Sequence, residues 1–258
     1  MRTIPGCGLT EGYSVEDYLH NVARIQYSCD TALVNLNDDL NTLGGRDLKA
    51  VEITTERLKN EQGEVESARE KLEGLEAPEA AAPLKSHLLD LYSQGAENIG
   101  ILAAGGDYRL AVEPLISEYE SASRSFSEKV KTATDSKSLI ACMQEYKKSL
   151  AGIAGRLKPV EPSMLSLHSH QRFIDDLNTL QAGLDETVTA LESGDRAKLD
   201  DAAKKMEEVN QGSELQGTIA AERQADIKVF NAKVQRMTDL MAQIGQDQLE
   251  LHQRFDRQ

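Results

Sequence analysis

Apolar residues in this chain recur at spacings of three and four almost without interruption, and that pattern constrains the fold more than anything else in it. Such spacing puts side chains on one face of an α-helix. Val15, Tyr18, Val22, Ile25, Cys29, Ala32, Leu36, Leu40 and Leu43 form a first stripe and predict one long helix. Gly44-Gly45-Arg46-Asp47 then predicts a stop and a new N-cap. Leu48, Val51, Thr55, Leu58, Gln62, Val65 and Leu72 carry a second helix, ended by Pro78 and Pro83. Leu84, His87, Leu91 and Leu102 predict a third, closed by Gly105-Gly106. Asp107 reads as the cap of a fourth helix holding Val112, Leu115, Tyr119, Phe126 and Val130, kinked or begun near Pro114.

A fifth helix is expected after Asp135-Ser136, with Leu139, Cys142, Tyr146, Leu150, Ile153 and Leu157 on its stripe and Pro159 and Pro162 as its stop. The sixth carries Leu167, His170, Ile174, Leu177, Gln181, Leu184, Val188 and Leu191 and ends at Gly194. From Asp195 onward the pattern stays helical, with a break of phase around Gly212 to Gly217. Beyond it, Ile227, Phe230, Val234, Met237, Met241, Ile244, Gln248, Leu251 and Phe255 make the cleanest heptad stripe in the chain. No stretch reads as a strand.

The expected fold is therefore all-α, an elongated bundle of about six to eight long antiparallel helices. Residues 1–13 read as a leader or tether and 14–258 as one helical domain, with 223–256 as its closing helix. That last stripe is expected to return against the first helix; a dimerising coiled-coil seam is the alternative. Leu72-Glu73-Gly74-Leu75-Glu76-Ala77-Pro78 resembles Leu157-Lys158-Pro159-Val160-Glu161-Pro162, and each is followed by a helix with an early histidine. Residues 47–134 and 135–222 are thus expected to be two degenerate copies of a three-helix unit, against the reading that any two Leu-rich helical hairpins look alike.

Composition removes several classes. Aromatic residues are 4% of the chain and tryptophan is absent, which disfavours sandwiches and barrels. Asp and Glu number 43 against 29 Lys and Arg, and a formal charge of -14 repels nucleic-acid phosphate. An apolar fraction of 40% suffices for a core and argues against disorder. Three cysteines are too few for a disulfide scaffold. No segment approaches the roughly 20 apolar residues needed to span a bilayer.

Catalytic and metal-binding patterns find no positive match. His168 and His170 are two apart on a helix and diverge, so they do not share a metal. The Glu-x-x-His pairs of di-iron bundles are absent; Asp17-Tyr18-Leu19-His20 comes nearest. His87 and His170 both lie on apolar stripes, where histidines hydrogen-bonded in the core are expected; a shared internal metal site built from these two is the alternative. Asp38-Asp39, Asp175-Asp176 and Asp200-Asp201 read as solvated faces, because helix neighbours diverge. Gly152-Ile153-Ala154-Gly155 reads as a place of close helix packing. Tyr13, Tyr18 and Tyr27 read as the rim of the core, with the lining of a ligand groove as the alternative. No cofactor motif and no nucleophile–base pair is found.

The N-terminus adds one feature. Ile4-Pro5-Gly6-Cys7-Gly8 resembles the lipobox of bacterial cell-envelope lipoproteins, departing from it at Pro5. The resemblance implies a signal cleaved before Cys7, whose thiol would carry the lipid, and an extracytoplasmic domain beyond a short tether. Cys29 and Cys142 then remain as an even pair on core stripes. They are a candidate disulfide closing a long loop, or else two buried thiols. The functional expectation is a non-enzymatic helical-bundle module of a bacterial lipoprotein with a binding or scaffold role, monomeric or dimeric. Its partner, a protein or a small ligand, is not named by the sequence, and its only membrane contact is the anchor. The rivals are a ligand-sensing bundle, a cytoplasmic metal-binding or enzymatic bundle using His87 and His170, and a coiled-coil adaptor acting through 223–256.

Overall fold

The computed structural model describes residues 14–27, 29–194 and 212–255. The protein is all-α. Eight α-helices are present among the described residues: α1 (Val15–Gln26), α2 (Asp30–Val34), α3 (Leu36–Gly44), α4 (Leu48–Glu73), α5 (Ala82–Thr132), α6 (Ser136–Leu157), α7 (Leu167–Ser193) and α8 (Gly212–Phe255). A single 3-10 turn, Glu79–Ala81, leads into α5.

Several boundaries follow from local chemistry. Ser14 caps α1 by accepting from the Asp17 amide at 3.0 Å. Asp135 and Ser138 close a reciprocal capping box at the start of α6, each side chain accepting from the other's backbone N–H. Gly194 ends α7 at φ +67°, in the left-handed region that a glycine enters without steric penalty. Asp47 accepts from the Lys49 amide at 2.9 Å and caps α4.

Two boundaries differ from expectation. The first stripe is not one helix but three, α1 to α3, with Cys29 (φ -136°, ψ -7°) and Asn35 (φ -94°, ψ 4°) out of helical register between them. Cys29, Ala32, Leu33 and Leu36, spaced by three and four, are nevertheless all buried. Conversely, Gly105-Gly106-Asp107 does not stop a helix; α5 is continuous past it and includes Pro114. Gly105 serves packing instead. A Cβ there would stand 3.1 Å from Leu165 Cδ1, so the bare backbone admits the 163–166 segment.

Two compact units are distinguished. The first contains α1 to α3, most of α4, α5 up to Ala103 and α8 from Asn231 onward. Its core includes Tyr18, Val22, Leu36, Leu58, Val65, Leu72, Leu88, Tyr92, Ile99, Met237 and Ile244. Gly95 lets Leu33 lie against α5, since a Cβ on Gly95 would be 2.4 Å from Leu33 Cδ2. The second unit contains Gly45–Glu52 and the described residues from Ala104 to Phe230. Here α6 and α7 pair as a hairpin, and Met143, Leu150, Ile153, Leu157, Phe173, Leu177 and Leu184 pack with Val112 and Leu115 of α5. Phe126 stacks on Tyr146 with centroids 4.5 Å apart, and Tyr119 meets Phe173 edge-on.

The α4–α5 and α6–α7 hairpins bury residues at matching positions under one constant offset. Leu58, Val65, Ala68 and Leu72 correspond to Met143, Leu150, Ile153 and Leu157; Leu88, Tyr92, Ile99 and Leu102 correspond to Phe173, Leu177, Leu184 and Thr187. The same offset pairs the first residue of α5, Ala82, with the first of α7, Leu167. It matches His87 to Arg172, so the two early histidines are not counterparts in this pattern.

Candidate functional site

Charged and polar side chains join helices at several places, and α8 takes part in a number of these contacts. Its heptads place Phe230, Met237, Ile244 and Leu251 in one row, each at most 4% exposed. The neighbouring row reads Asp226, Lys233, Leu240 and Asp247. In the first unit, His87 Nδ1 donates to Asp247 Oδ2 at 2.7 Å, and Gln243 donates to Asp247 Oδ1 at 3.1 Å. Lys233 Nζ donates to Glu97 at 2.7 Å. Beside them the buried Asn98 amide donates to Met237 Sδ at 2.8 Å. Gln248 donates to Gln26 of α1 at 3.0 Å.

In the second unit, His168 Nδ1 donates to Asp226 Oδ1 at 2.8 Å. The Asp226 side chain is 6% exposed and that of His168 is 66% exposed, so a buried carboxylate orients a surface imidazole. Asp226 Oδ2 is buried and accepts no hydrogen bond from the described residues. One turn beyond His168, Arg172 donates to the buried Asp176 at 3.1 Å. His170 lies on the other side of α7, 5% exposed, with Nδ1 3.2 Å from the Tyr108 hydroxyl and the two rings edge-on. Burial holds its imidazole below the ordinary histidine value and pushes Tyr108 up to about 12.

A second polar cluster lies in the first unit. Arg57 of α4 reaches Asp39 of α3 and, one turn along its own helix, Glu61 at 2.7 Å. Burial works against the guanidinium charge, but the two carboxylates outweigh it and hold Arg57 above its ordinary value. Asp39 Oδ2 and Glu61 Oε2 are buried and accept nothing from the described residues.

Cys7 and Tyr13 lie outside the described residues, as do Asp200 and Asp201. Cys29 and Cys142 are not joined to each other, so the candidate disulfide is not formed. Cys29 is buried at the start of α2, its thiol facing the Ile25 and Gln26 carbonyls at 3.7 and 3.6 Å. His87 belongs to the first unit and His170 to the second, and each already has a protein partner at Nδ1. Among the described residues, no group of three or more His, Cys, Asp or Glu is placed to hold a metal.

Asp39 and Asp176 are buried, which corrects the reading of both acidic pairs as wholly solvated. Gly152 and Gly155 are exposed, and a methyl group added to either would find nothing within 4 Å, so close packing is not their role. Tyr18 is fully buried and Tyr27 is 91% exposed, so neither lies at a rim.

Sequence reasoning missed the Asp226–His168 pair and the Arg57 cluster. The signal for the first was present, because Asp226, Lys233 and Asp247 sit at heptad intervals beside the apolar row. Their partners were not legible, since heptad phase does not say which helix a face meets. No protein family, no curated protein and no solved structure matches this chain.

Proposed function

We propose that the chain is a non-enzymatic helical-bundle module of a bacterial cell-envelope lipoprotein, tethered through Cys7 and acting as a binding or scaffold element. The observation that carries the scaffold part is how the titratable side chains are used. His87, His168, Lys233 and Arg57 each form an ion pair or hydrogen bond that ties one helix to another. Groups spent on joining helices fix a shape, which is what a scaffold requires. The tether rests on the likeness of Ile4-Pro5-Gly6-Cys7 to a lipobox. No helix among the described residues is long and apolar enough to cross a membrane, so in this reading membrane attachment comes from acyl chains. Several such chains on one cysteine hold stably where a single one does not.

Duplication of a helical unit belongs to the same reading. The shared burial register of the α4–α5 and α6–α7 hairpins supports it.

The test is mass spectrometry of the protein purified from membranes of its native host, expressed from its own locus. A diacylglyceryl group on Cys7 as the new N-terminus, and release from the membrane on Cys7→Ser, are expected. An unmodified Cys7 thiol behind an intact Met1 in the membrane-free fraction would overturn the anchor.

A further inference from the structure

The apolar row of α8 does not by itself define where that helix sits in the first unit. Met237, Ile244 and Leu251 repeat at heptad intervals and are all buried. Sliding α8 by one heptad along α5 would put Ile244 or Phe230 where Met237 now lies, and an apolar residue would still fill the place. The neighbouring polar row is different. His87 faces Asp247 and Glu97 faces Lys233, so the two helices run antiparallel with opposite charges or a donor and acceptor in contact. A slip in one direction sets Leu240 against Glu97 and Arg254 against His87. A slip in the other sets Asp226 against Glu97 and Leu240 against His87. Both lose every polar contact, and each opposes either a cation to imidazole or a carboxylate to a carboxylate. Asn98 discriminates as well, because its amide donates to Met237 Sδ and neither Ile244 nor Phe230 carries an acceptor.

We propose that Lys233 and Asp247, with Met237 against Asn98, form a register lock that seats the C-terminal helix in one of several heptad-related positions that apolar packing alone leaves open. Polar groups on a helical seam are known to select register at some expense of stability. The lock differs from a general stabiliser in a testable way: moving the polar row along α8 moves the helix.

The experiment reads the position of α8 in the full chain. Nitroxide labels go on cysteines at Ser93 and Gln253, both exposed, with Cys7, Cys29 and Cys142 replaced by Ala. The variant Lys233→Leu/Leu240→Lys/Asp247→Leu/Arg254→Asp, combined with Met237→Ile/Ile244→Met, shifts the row by one heptad. The label-to-label distance is expected to shorten by about 10 Å, the rise of seven helical residues. An unchanged distance in the folded variant would show that apolar packing sets the register, and the proposal fails. If that variant does not fold, Lys233→Glu/Asp247→Lys decides. It is expected to lower the ratio of native-distance to shifted-distance populations by about fivefold, as loss of modest ion pairs does. Adding Glu97→Lys and His87→Glu is expected to restore it. A single native distance throughout, or no recovery on exchanging the partners, overturns the lock.

Discussion

Buried tyrosines and one buried histidine set the pH limits of this protein from opposite sides. Burial pushes Tyr18, Tyr108 and Tyr146 up to about 12, with Ser123 at 2.8 Å from the Tyr146 hydroxyl working against the rise. An unfolded phenol releases its proton near pH 10, so between that pH and 12 the unfolded chain binds fewer protons than the folded one. Stability is therefore intact below pH 10 and lost as pH rises through the window. Titration at 295 nm, followed together with helical circular dichroism, should show part of the phenolate signal, that of these buried tyrosines, appearing only with unfolding. His170 acts in the other direction. Its imidazole is held below the ordinary value by burial, so the folded form resists a proton that the unfolded chain takes up. The stability it allows is present above the ordinary histidine pKa and lost as pH falls below it. His170→Gln removes that titration and is expected to flatten the stability profile between pH 7 and 5. A denaturant series at those two pH values checks it, and an equally steep profile in the variant would place the acid sensitivity elsewhere.

At the scale of elements, two glycines inside helices are expected to respond to alanine with opposite signs. In α5, a Cβ on Gly95 would meet Leu33 Cδ2 at 2.4 Å, deep in the first unit, so either the leucine or α2 must move. Overpacking of this kind costs about 1–3 kcal/mol. In α6, Gly152 is exposed with nothing within 4 Å, so alanine there gains helix propensity of about 1 kcal/mol. Urea midpoints of Gly95→Ala and Gly152→Ala should therefore fall on either side of the parent. The pair also shows how far the sequence could be read. Periodicity located the helices, and cap chemistry at Asp135 and Gly194 located two of their ends, because caps are local. Glycine was ambiguous, since the residue that ends α7 at Gly194 is the one that admits a neighbour at Gly95 and Gly105. Which reading applies depends on what lies across the helix. Leu33 stands about sixty residues from Gly95, and no local pattern points to it. The same limit hid the partners of Asp226 and Asp247, while the heptad phase of those two acids was in plain view.

Over the whole molecule the acid excess decides how stability responds to salt. The formal charge of -14 leaves more repulsive than attractive encounters among surface groups. Against this stand ion pairs such as Arg156 with Glu118 at 2.6 Å, Lys147 with Asp185 and Lys129 with Glu145 at 2.6 Å. All three are largely solvated, and pairs of that kind contribute about 0–1 kcal/mol each. Salt screens both terms. The attractive ones act within a few ångströms, inside the screening length of about 8 Å at physiological ionic strength, whereas the net repulsion is summed over longer distances and fades first. Sodium chloride raised from about 0.01 to about 0.15 M is therefore expected to increase the melting temperature. A gain of about 1 kcal/mol corresponds to a rise of about 2–4 °C in a chain of this size. The rise should flatten once the repulsion is screened. Calorimetry across that range tests the balance: a falling melting temperature would mean that the ion pairs outweigh the acid excess, and the helix-joining pairs of α8 would then be the first to re-examine by neutral substitution.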